Sequence, residues 1–519
     1  VSAPVAAPAA PETRERSEAL HASALATRVL LVGSMVSKFL RFLTDLVLAR
    51  ALGPEGFGVV AASMSFTHIL AEVGLVGTHR GVLRFASLDE SAGRARAAAT
   101  LTRRGLVIAA VFGGVLFLAV LIARGPLTRL LFGETTSVWI LPAFALAIPA
   151  IGAFTVLQFR ARAARRFGDD SLVGNVARAA GPFLLTAVLL LAGWKMWGAV
   201  SGFVGGMIGT VGLAVLLQRR ADRRAHATAG AAEDVAVGLR RLMRVAVPLA
   251  LAGASILIMN ELDKVMLAIF WPETEVGLYN AGFRLSRQAI LLLPVVNAAI
   301  SPFVGPLLAE GRHEDLHRLY RDTTRWSLAA GWSAALLFTV FARDFVGLFG
   351  ADYADATSVL VLLSFGQLVN ASVGNAGVIL QFSGHERMEL SNGVLVTVVN
   401  FVLNLALIPR YGAEGAAFAT LLSLVLVAVR RVFQTREVLG IFPYDRKAVL
   451  VLAGGAVGVA IGFGLRTAVH ALGGGAVPCV LAATVGMVGS WTLLLMTFGV
   501  TEEEAALLRV PKRWVKRGR

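Results

Sequence analysis

The chain has 519 residues, of which 56% are hydrophobic and 16% charged, and its mean hydropathy of +0.71 excludes a water-soluble protein of this length. One cysteine, Cys479, excludes an intramolecular disulfide and a cysteine-based metal cluster. A net charge of +16 raises nucleic acid as a partner, which the distribution of that charge argues against.

The opening residues, "VSAPVAAPAAPETRERSEAL", are rich in Ala and Pro with no apolar core ahead of the first long apolar run. Residues 1–23 therefore read as a short disordered cytoplasmic tail rather than a cleavable signal peptide. From there apolar runs of about 18 to 25 residues recur, each long enough to cross a hydrocarbon core of roughly 30 Å as a helix. Fourteen spans are predicted, at 24–49, 56–77, 104–123, 137–158, 171–192, 197–217, 243–270, 275–300, 326–342, 356–382, 388–409, 413–433, 447–466 and 475–500. They are continuously apolar and lack the alternation of barrel strands, so an all-α polytopic membrane protein is expected. The longest connection, 219–242, leaves six spans before it and eight after, and no connection could hold a globular catalytic domain.

With residues within about one helical turn of a span end counted with the adjoining tail or connection, 36 of the 49 Lys and Arg residues fall in the two tails and the alternate connections on one side, 7 in the connections on the other, and 6 deeper inside spans. This positive-inside bias predicts a multi-pass cell-membrane protein with both termini cytoplasmic. It also assigns most of the basic charge, including "RARAARRF" (160–167) and "QRRADRRAHA" (218–227), to anionic headgroups rather than to nucleic acid.

Charge inside the spans is harder to place. Lys38, Arg41, Arg178, Lys264, Arg284 and Arg287 lie there with Asp45, Glu72, Glu261 and Asp263. If all faced lipid, the penalty would be on the order of 25 to 35 kcal/mol, several times an ordinary folding stability, so they are expected to face protein or water. Ser34, Lys38, Arg41 and Asp45 are spaced 4, 3 and 4 apart and share one stripe of the first helix, as Asn280, Arg284 and Arg287 do on the eighth. Two readings stand: cavity walls for an anionic ligand, or buried ion pairs and snorkelling side chains that fix packing. Glu72 with His68, four residues earlier, suits a structural pair or a proton site. Gln367, Asn370, Gly374 and Gln381 give the tenth span a polar edge suited to sugar hydroxyls or to helix contacts.

Aligning "DLVLARALGPEGFG" (45–58) with "DKVMLAIFWPETEVG" (263–277) matches Asp45 with Asp263, Pro54 with Pro272 and Glu55 with Glu273, and "YGAEGAAFATLLS" (411–423) echoes the small-residue entry into a helix. A parallel internal repeat with polar first helices is the pattern of a transporter whose substrate path lies at the repeat interface.

On "LARALGPEGFGVVAASMSF" (48–66), "DKVMLAIFWPETEVGLYNAGFRL" (263–285), "LSRQAILLLPVVNAAISPFVGPLLAEG" (285–311) and "LIPRYGAEGAAFATLLS" (407–423), the chain resembles the Wzx-like polysaccharide-export flippases of the multidrug, oligosaccharidyl-lipid and polysaccharide (MOP) exporter superfamily. The resemblance covers nearly everything but the tails. It implies a MATE-like fold of two pseudo-repeated six-helix lobes, 24–218 and 243–440, joined by a cytoplasmic linker at 219–242. A helix pair at 441–500 and a basic cytoplasmic tail at 501–519 follow. It implies no catalysis, but movement of a polyprenyl-pyrophosphate-linked oligosaccharide from the cytoplasmic to the outer leaflet, by alternating access through a cationic central cavity, for cell-surface polysaccharide biosynthesis. A polysaccharide polymerase and glycosyltransferases are the protein partners such a pathway would supply, alongside membrane lipids and no nucleic acid. The substrate-binding positions it implies are Lys38, Arg41, Lys264, Arg284 and Arg287, with Asn280 on the same stripe. Asp45, Glu72 and Asp263 are the candidates for coupling or gating. No cofactor or resident metal is expected, and proton and sodium stay open as coupling ions. The alternatives are a lipid II flippase or a MATE-like drug exporter of the same superfamily and, from another class, a membrane glycan polymerase or glycosyltransferase, which would need a larger outer loop with a positioned acid, base or nucleophile.

Overall fold

A computed structural model describes residues 11–134, 136–228, 239–290, 293–473, 478–482 and 485. In chain order the helices are α1 (Pro11–Leu75), α2 (Thr78–Ser91), α3 (Ala95–Ile122), α4 (Arg124–Phe132), α5 (Ile140–Ala145), α6 (Ala147–Ala163) and α7 (Phe167–Asp169). After a π-helical segment, Asp170–Ala177, come α8 (Arg178–Leu191), α9 (Lys195–Thr228), α10 (Leu239–Phe270) and α11 (Glu273–Ser286). A 3-10 turn, Arg287–Ile290, precedes α12 (Leu293–Ala309), α13 (His313–Val340) and α14 (Ala342–Val346). The last are α15 (Ala356–Ser372), α16 (Ala376–Phe382), α17 (Glu386–Leu439) and α18 (Arg446–Ala471).

The protein is an all-helical, multi-span membrane protein. Among the described residues, six helical segments are long and apolar enough to cross a membrane, or seven if α15 and α16, inclined by 42°, form one broken span. Helices lie over the predicted runs from 24–49 to 447–466, whereas most of the run at 475–500 and all of 501–519 fall outside the described residues. The first helix begins at Pro11, inside the stretch expected to be a disordered tail. Proline at a helix start gives up only an N–H that has no intrahelical partner. Likewise α9 and α10 extend into the expected linker, of which 229–238 lie outside the described residues.

Where the sequence suggested two spans and a turn, α1 and α17 run on and break sharply. Gly53 has φ 69° and ψ 179°, immediately before Pro54, and Gly412 has φ 54° and ψ −133°, three residues after Pro409. Positive φ is open to glycine and disfavoured for other residues, so each break is written locally. Within the predicted eighth span, 275–300, α11 stops at Ser286, a 3-10 turn, Arg287–Ile290, follows, and α12 begins at Leu293, with residues 291–292 outside the described residues.

The chain divides into two compact units. The first comprises Val1–Thr44, Leu70–Ile122 and Pro142–Leu251, and the second Asp45–Ile69, Ala123–Leu141 and Ala252–Arg519. This differs from a division at the linker, because 45–69 and 123–141 cluster with the second unit. In the first unit Leu75, Val82, Phe85, Leu101, Val156 and Leu242 form an apolar core. Val107, Val111, Val115 and Leu118 make an exposed apolar stripe on α3, the face expected against lipid. Basic residues at the ends of these helices are paired: buried Arg160 with Glu90, Arg94 with Asp89 at 2.6 Å, and Arg162 with Asp170 at 2.8 Å. Ile300, Val304, Leu316, Tyr320 and Ile379 form one core of the second unit.

Candidate functional site

In the first unit the stripe on α1 is continuous helix, so its spacing holds. Lys38 is half-buried and Arg41 exposed, while Val32, Met35 and Phe39 leave an apolar face uncovered. The backbone of α1 at Gly33 lies so close to the π-helical segment that a Cβ there would sit 2.1 Å from Ser171 Oγ. That segment ends at Arg178, whose guanidinium lies over the Phe154 ring at 4.9 Å and feels the like charges of Arg41 and Arg162. The structure thus adds Arg178 to Arg41 as a basic patch. Its presence inside an apolar span was a signal, but nothing in the sequence paired it with α1.

Glu72 also belongs to the first unit. Its carboxylate is 3.9 Å from Nε2 of His79, a buried ring packed edge-on to Phe159. His68 lies in the second unit, 4.0 Å from Glu261.

In the second unit, α10 and α11 position the remaining candidates. Arg284, one-third exposed, places Nε 3.1 Å from Asp45 Oδ2, an ion pair across 239 positions of sequence. Arg287 is exposed, with Nη1 3.4 Å from Asn260 Oδ1 and its guanidinium 5.9 Å from the Phe283 ring centre. Asn280 shares their helical register but is 1% exposed, and its Oδ1 is buried without a hydrogen-bond partner, so it is part of the packed interior rather than an open wall. Lys264 is likewise buried: Nζ donates to the Asn260 carbonyl at 2.8 Å, pairs with Glu261 at 2.9 Å, and sits 4.5 Å above the Phe283 ring. Glu261 in turn accepts from Ser65 at 2.6 Å. A Lys–Glu pair satisfied in this way holds α10 in place, whereas Arg284 and Arg287 on α11 are at least partly accessible.

Asp263 turns away from its neighbour Lys264, because successive helical residues point about 100° apart. Its Oδ2 accepts from Tyr279 Oη at 2.6 Å and Thr420 Oγ1 at 3.0 Å, and its Oδ1 from Asn404 Nδ2 at 2.6 Å. Asn404 also donates to Asn400 Oδ1 at 3.1 Å, and its own Oδ1 is buried without a partner. A carboxylate, two amides and two hydroxyls on α10, α11 and α17 form one closed polar knot, of which only the acid stood out in the sequence.

The aligned turns meet inside the second unit. A Cβ on Gly58 would lie 1.8 Å from the Glu273 carbonyl oxygen, and one on Gly277 would lie 2.0 Å from that of Pro54, so backbone packs on backbone. Around this contact Arg50 Nε donates to the Leu348 carbonyl at 2.8 Å, Phe57 packs near Phe349 and Tyr353, and Tyr353 Oη reaches the Ala49 carbonyl at 3.3 Å. The third echo joins them: Trp271 Nε1 donates to the Ile408 carbonyl at 2.7 Å, and Glu275 Oε2 accepts from the Ala413 amide at 3.2 Å, both at the break of α17. Backbone groups released by the Gly412 break are satisfied by the repeat's Pro-Glu turn.

Comparison with known proteins gives a consistent picture. The profile of the polysaccharide biosynthesis protein family matches residues 26–307, and that of the MatE family matches 248–407. A probable flippase, AglR, of Haloferax volcanii is 33% identical over 175 residues, covering 32% of this chain and 36% of the relative. The probable low-salt glycan biosynthesis flippase Agl15 of the same organism is 25% identical over 169 residues, with the same coverage. The chain thus spans about a third of the length of the curated relatives it matches. Among solved structures, the lipid II flippase MurJ in an inward closed conformation superposes with a TM-score of 0.66 at 11% identity, over 90% of this chain and 98% of that one. An inward-facing multidrug resistance MATE family transporter gives 0.61 at 16% identity, over 80% and 98%. At such identities the likeness is one of fold.

Proposed function

The chain belongs to the polysaccharide biosynthesis protein family, a family of MOP-type membrane transporters rather than enzymes, and on that premise we propose that it moves a polyprenyl-pyrophosphate-linked oligosaccharide from the cytoplasmic to the outer leaflet. The observation that carries the reading is Arg284 beside Asp45: a one-third exposed guanidinium on a span helix, ion-paired with a carboxylate that a pyrophosphate could replace. Arg287 adds a second cation within the same unit, and guanidinium groups suit phosphate because they offer a planar array of donors. No covalent chemistry is needed. Reconstituted protein should change the sidedness of a lipid-linked glycan without changing its mass. A changed mass would favour the polymerase or glycosyltransferase reading, and preferential export of organic cations the drug-exporter reading.

Alternating access is the proposed route. The contact of Gly58 and Gly277 is the closed position of a gate formed by the two repeat-mate turns, which separate when the opposite leaflet is exposed.

Asp263 is proposed as the coupling group. Asp263, Asn400, Asn404 and Thr420 offer oxygen atoms to a small hard cation if the Asn404 amide turns over, and the unpartnered Asn404 Oδ1 is the group such an ion would satisfy. Asp263→Asn keeps the shape and hydrogen-bonding capacity but removes the charge. In proteoliposomes its transport should lose dependence on a sodium or proton gradient, with the basal downhill rate changed by no more than about 3-fold. Retained gradient dependence would assign Asp263 to packing.

The charge bias supports a cytoplasmic position for both termini and residues 219–242. In a Cys479→Ala background, an impermeant thiol reagent applied to intact cells should label a cysteine at Thr274 and leave one at Ala229 unlabelled. The reverse pattern would invert the topology.

A further inference from the structure

We propose that Asp344, His470 and Cys479 form a zinc-binding site that fastens α18 to α14. Three different donor types converge there from separate elements: Asp344 from α14, His470 from the last turn of α18, and Cys479 from the chain that follows. His470 Nε2 is 3.4 Å from Asp344 Oδ1 and 3.7 Å from Cys479 Sγ, and all three donor atoms lie within 4.8 Å of one another. Ligands at about 2.0–2.1 Å (N, O) and about 2.3 Å (S) from a tetrahedral zinc stand about 3.3 Å (N to O) and about 3.6 Å (N to S) apart. The first two separations therefore match two edges of a zinc tetrahedron.

The alternatives fit less well. A nucleophilic Cys–His–Asp triad needs the acid on one ring nitrogen and the sulfur on the other, whereas here both face Nε2. A thiol hydrogen bond accounts for the 3.7 Å between Sγ and Nε2, but a hydrogen bond between Nε2 and the carboxylate would be about 2.7–3.2 Å, closer than the 3.4 Å found. Carboxylate and sulfur are buried, whereas the imidazole is half exposed, which leaves a side open for a water as fourth ligand. Arg466 Nε holds Asp344 Oδ2 at 2.8 Å, so the second oxygen is oriented by a cation while Oδ1 points to the cluster. A single cysteine cannot build a cysteine-only cluster, but a mixed S, N, O set needs only one. On binding, the thiol proton passes to solvent and the sulfur ligates as thiolate.

Zinc here would join the α13–α14 corner to α18, which already packs on that corner where Gly462 faces Phe341. The test uses the full untagged chain in detergent, stripped with chelator, titrated with Zn²⁺ and, as a spectroscopic probe, Co²⁺. One ion per chain is expected, with a thiolate-to-cobalt charge-transfer band in the near ultraviolet and a rise in the unfolding temperature with zinc. Cys479→Ser and His470→Ala should each weaken zinc binding at least about 100-fold and abolish the band, whereas Arg466→Gln, which removes the ion pair and no ligand, should change it less than about 5-fold. Failure of the wild-type chain to bind one ion, a cobalt complex without the sulfur band, or binding that survives Cys479→Ser would overturn the site. The cobalt spectrum is read on the wild-type chain, so it decides even where a variant fails to fold.

Discussion

Gly277→Ala and Gly58→Ala should each lower lipid-glycan transport by roughly 10- to 100-fold while leaving the amount of monodisperse protein near wild type. Neither glycine is held at positive φ, so alanine brings no backbone strain of its own, and its helix propensity exceeds that of glycine. The penalty comes from one contact. A methyl group at either position would enter the carbonyl oxygen of the opposing turn, at 1.8 Å for Gly58 and 2.0 Å for Gly277, and that atom is backbone that no rotamer change can move. Overpacking of this kind costs about 1–3 kcal/mol, which acts only on the state in which the turns touch and so shifts the population of that state by about one to two orders of magnitude. A transporter that must pass through the state slows accordingly. Wild-type transport by both variants would show that the turns do not close during the cycle. Loss of folded protein in proportion to transport would show that the contact is structural and never opens.

Arg284→Ala and Arg287→Ala should lower translocation of a pyrophosphate-linked glycan by about 10- to 100-fold each, since charge-assisted hydrogen bonds contribute about 1.5–3 kcal/mol. Protein yield should fall much less, because both side chains are partly or wholly accessible and neither anchors a core. Lysine at either position should restore only part of the rate, as the charge returns without the paired donors. Asp45 gives the sharper discrimination. Its carboxylate is ion-paired with Arg284, Nε to Oδ2 3.1 Å, and so offsets the positive charge that a phosphate would meet. Asp45→Asn should therefore tighten binding of a pyrophosphate-lipid headgroup to purified protein and slow turnover, whereas Arg284→Gln should weaken binding. If Asp45 and Arg284 serve only to fix α1 against α11, both substitutions would lower stability together and leave headgroup affinity, at constant ionic strength, unchanged.

Much about this protein follows from short-range chemistry and was legible in the chain itself. Helices lie on the apolar runs because the bilayer leaves backbone polar groups no partner but one another. The breaks at Gly53–Pro54 and near Gly412 sit where glycine and proline punctuate the runs, and the repeat predicted that turns bearing Pro and Glu would occupy equivalent places. Family and transport class were likewise within reach, since they rest on local words of sequence. Tertiary structure alone decided which charge meets which. Lys264 has Asp263 beside it in sequence but pairs with Glu261, one helical turn away; Arg284 finds Asp45 from the far end of the chain; and Asn280, in register with both arginines, is shut into the interior. Helical periodicity gives the direction of a side chain about its own axis, whereas the partner depends on which helix packs against that face, and that is fixed only when elements hundreds of residues apart are assembled. The same reason hid the knot of Asp263 with Tyr279, Asn404 and Thr420, and the meeting of Asp344, His470 and Cys479: each donor is ordinary in its own segment, and the chemistry exists only in their convergence.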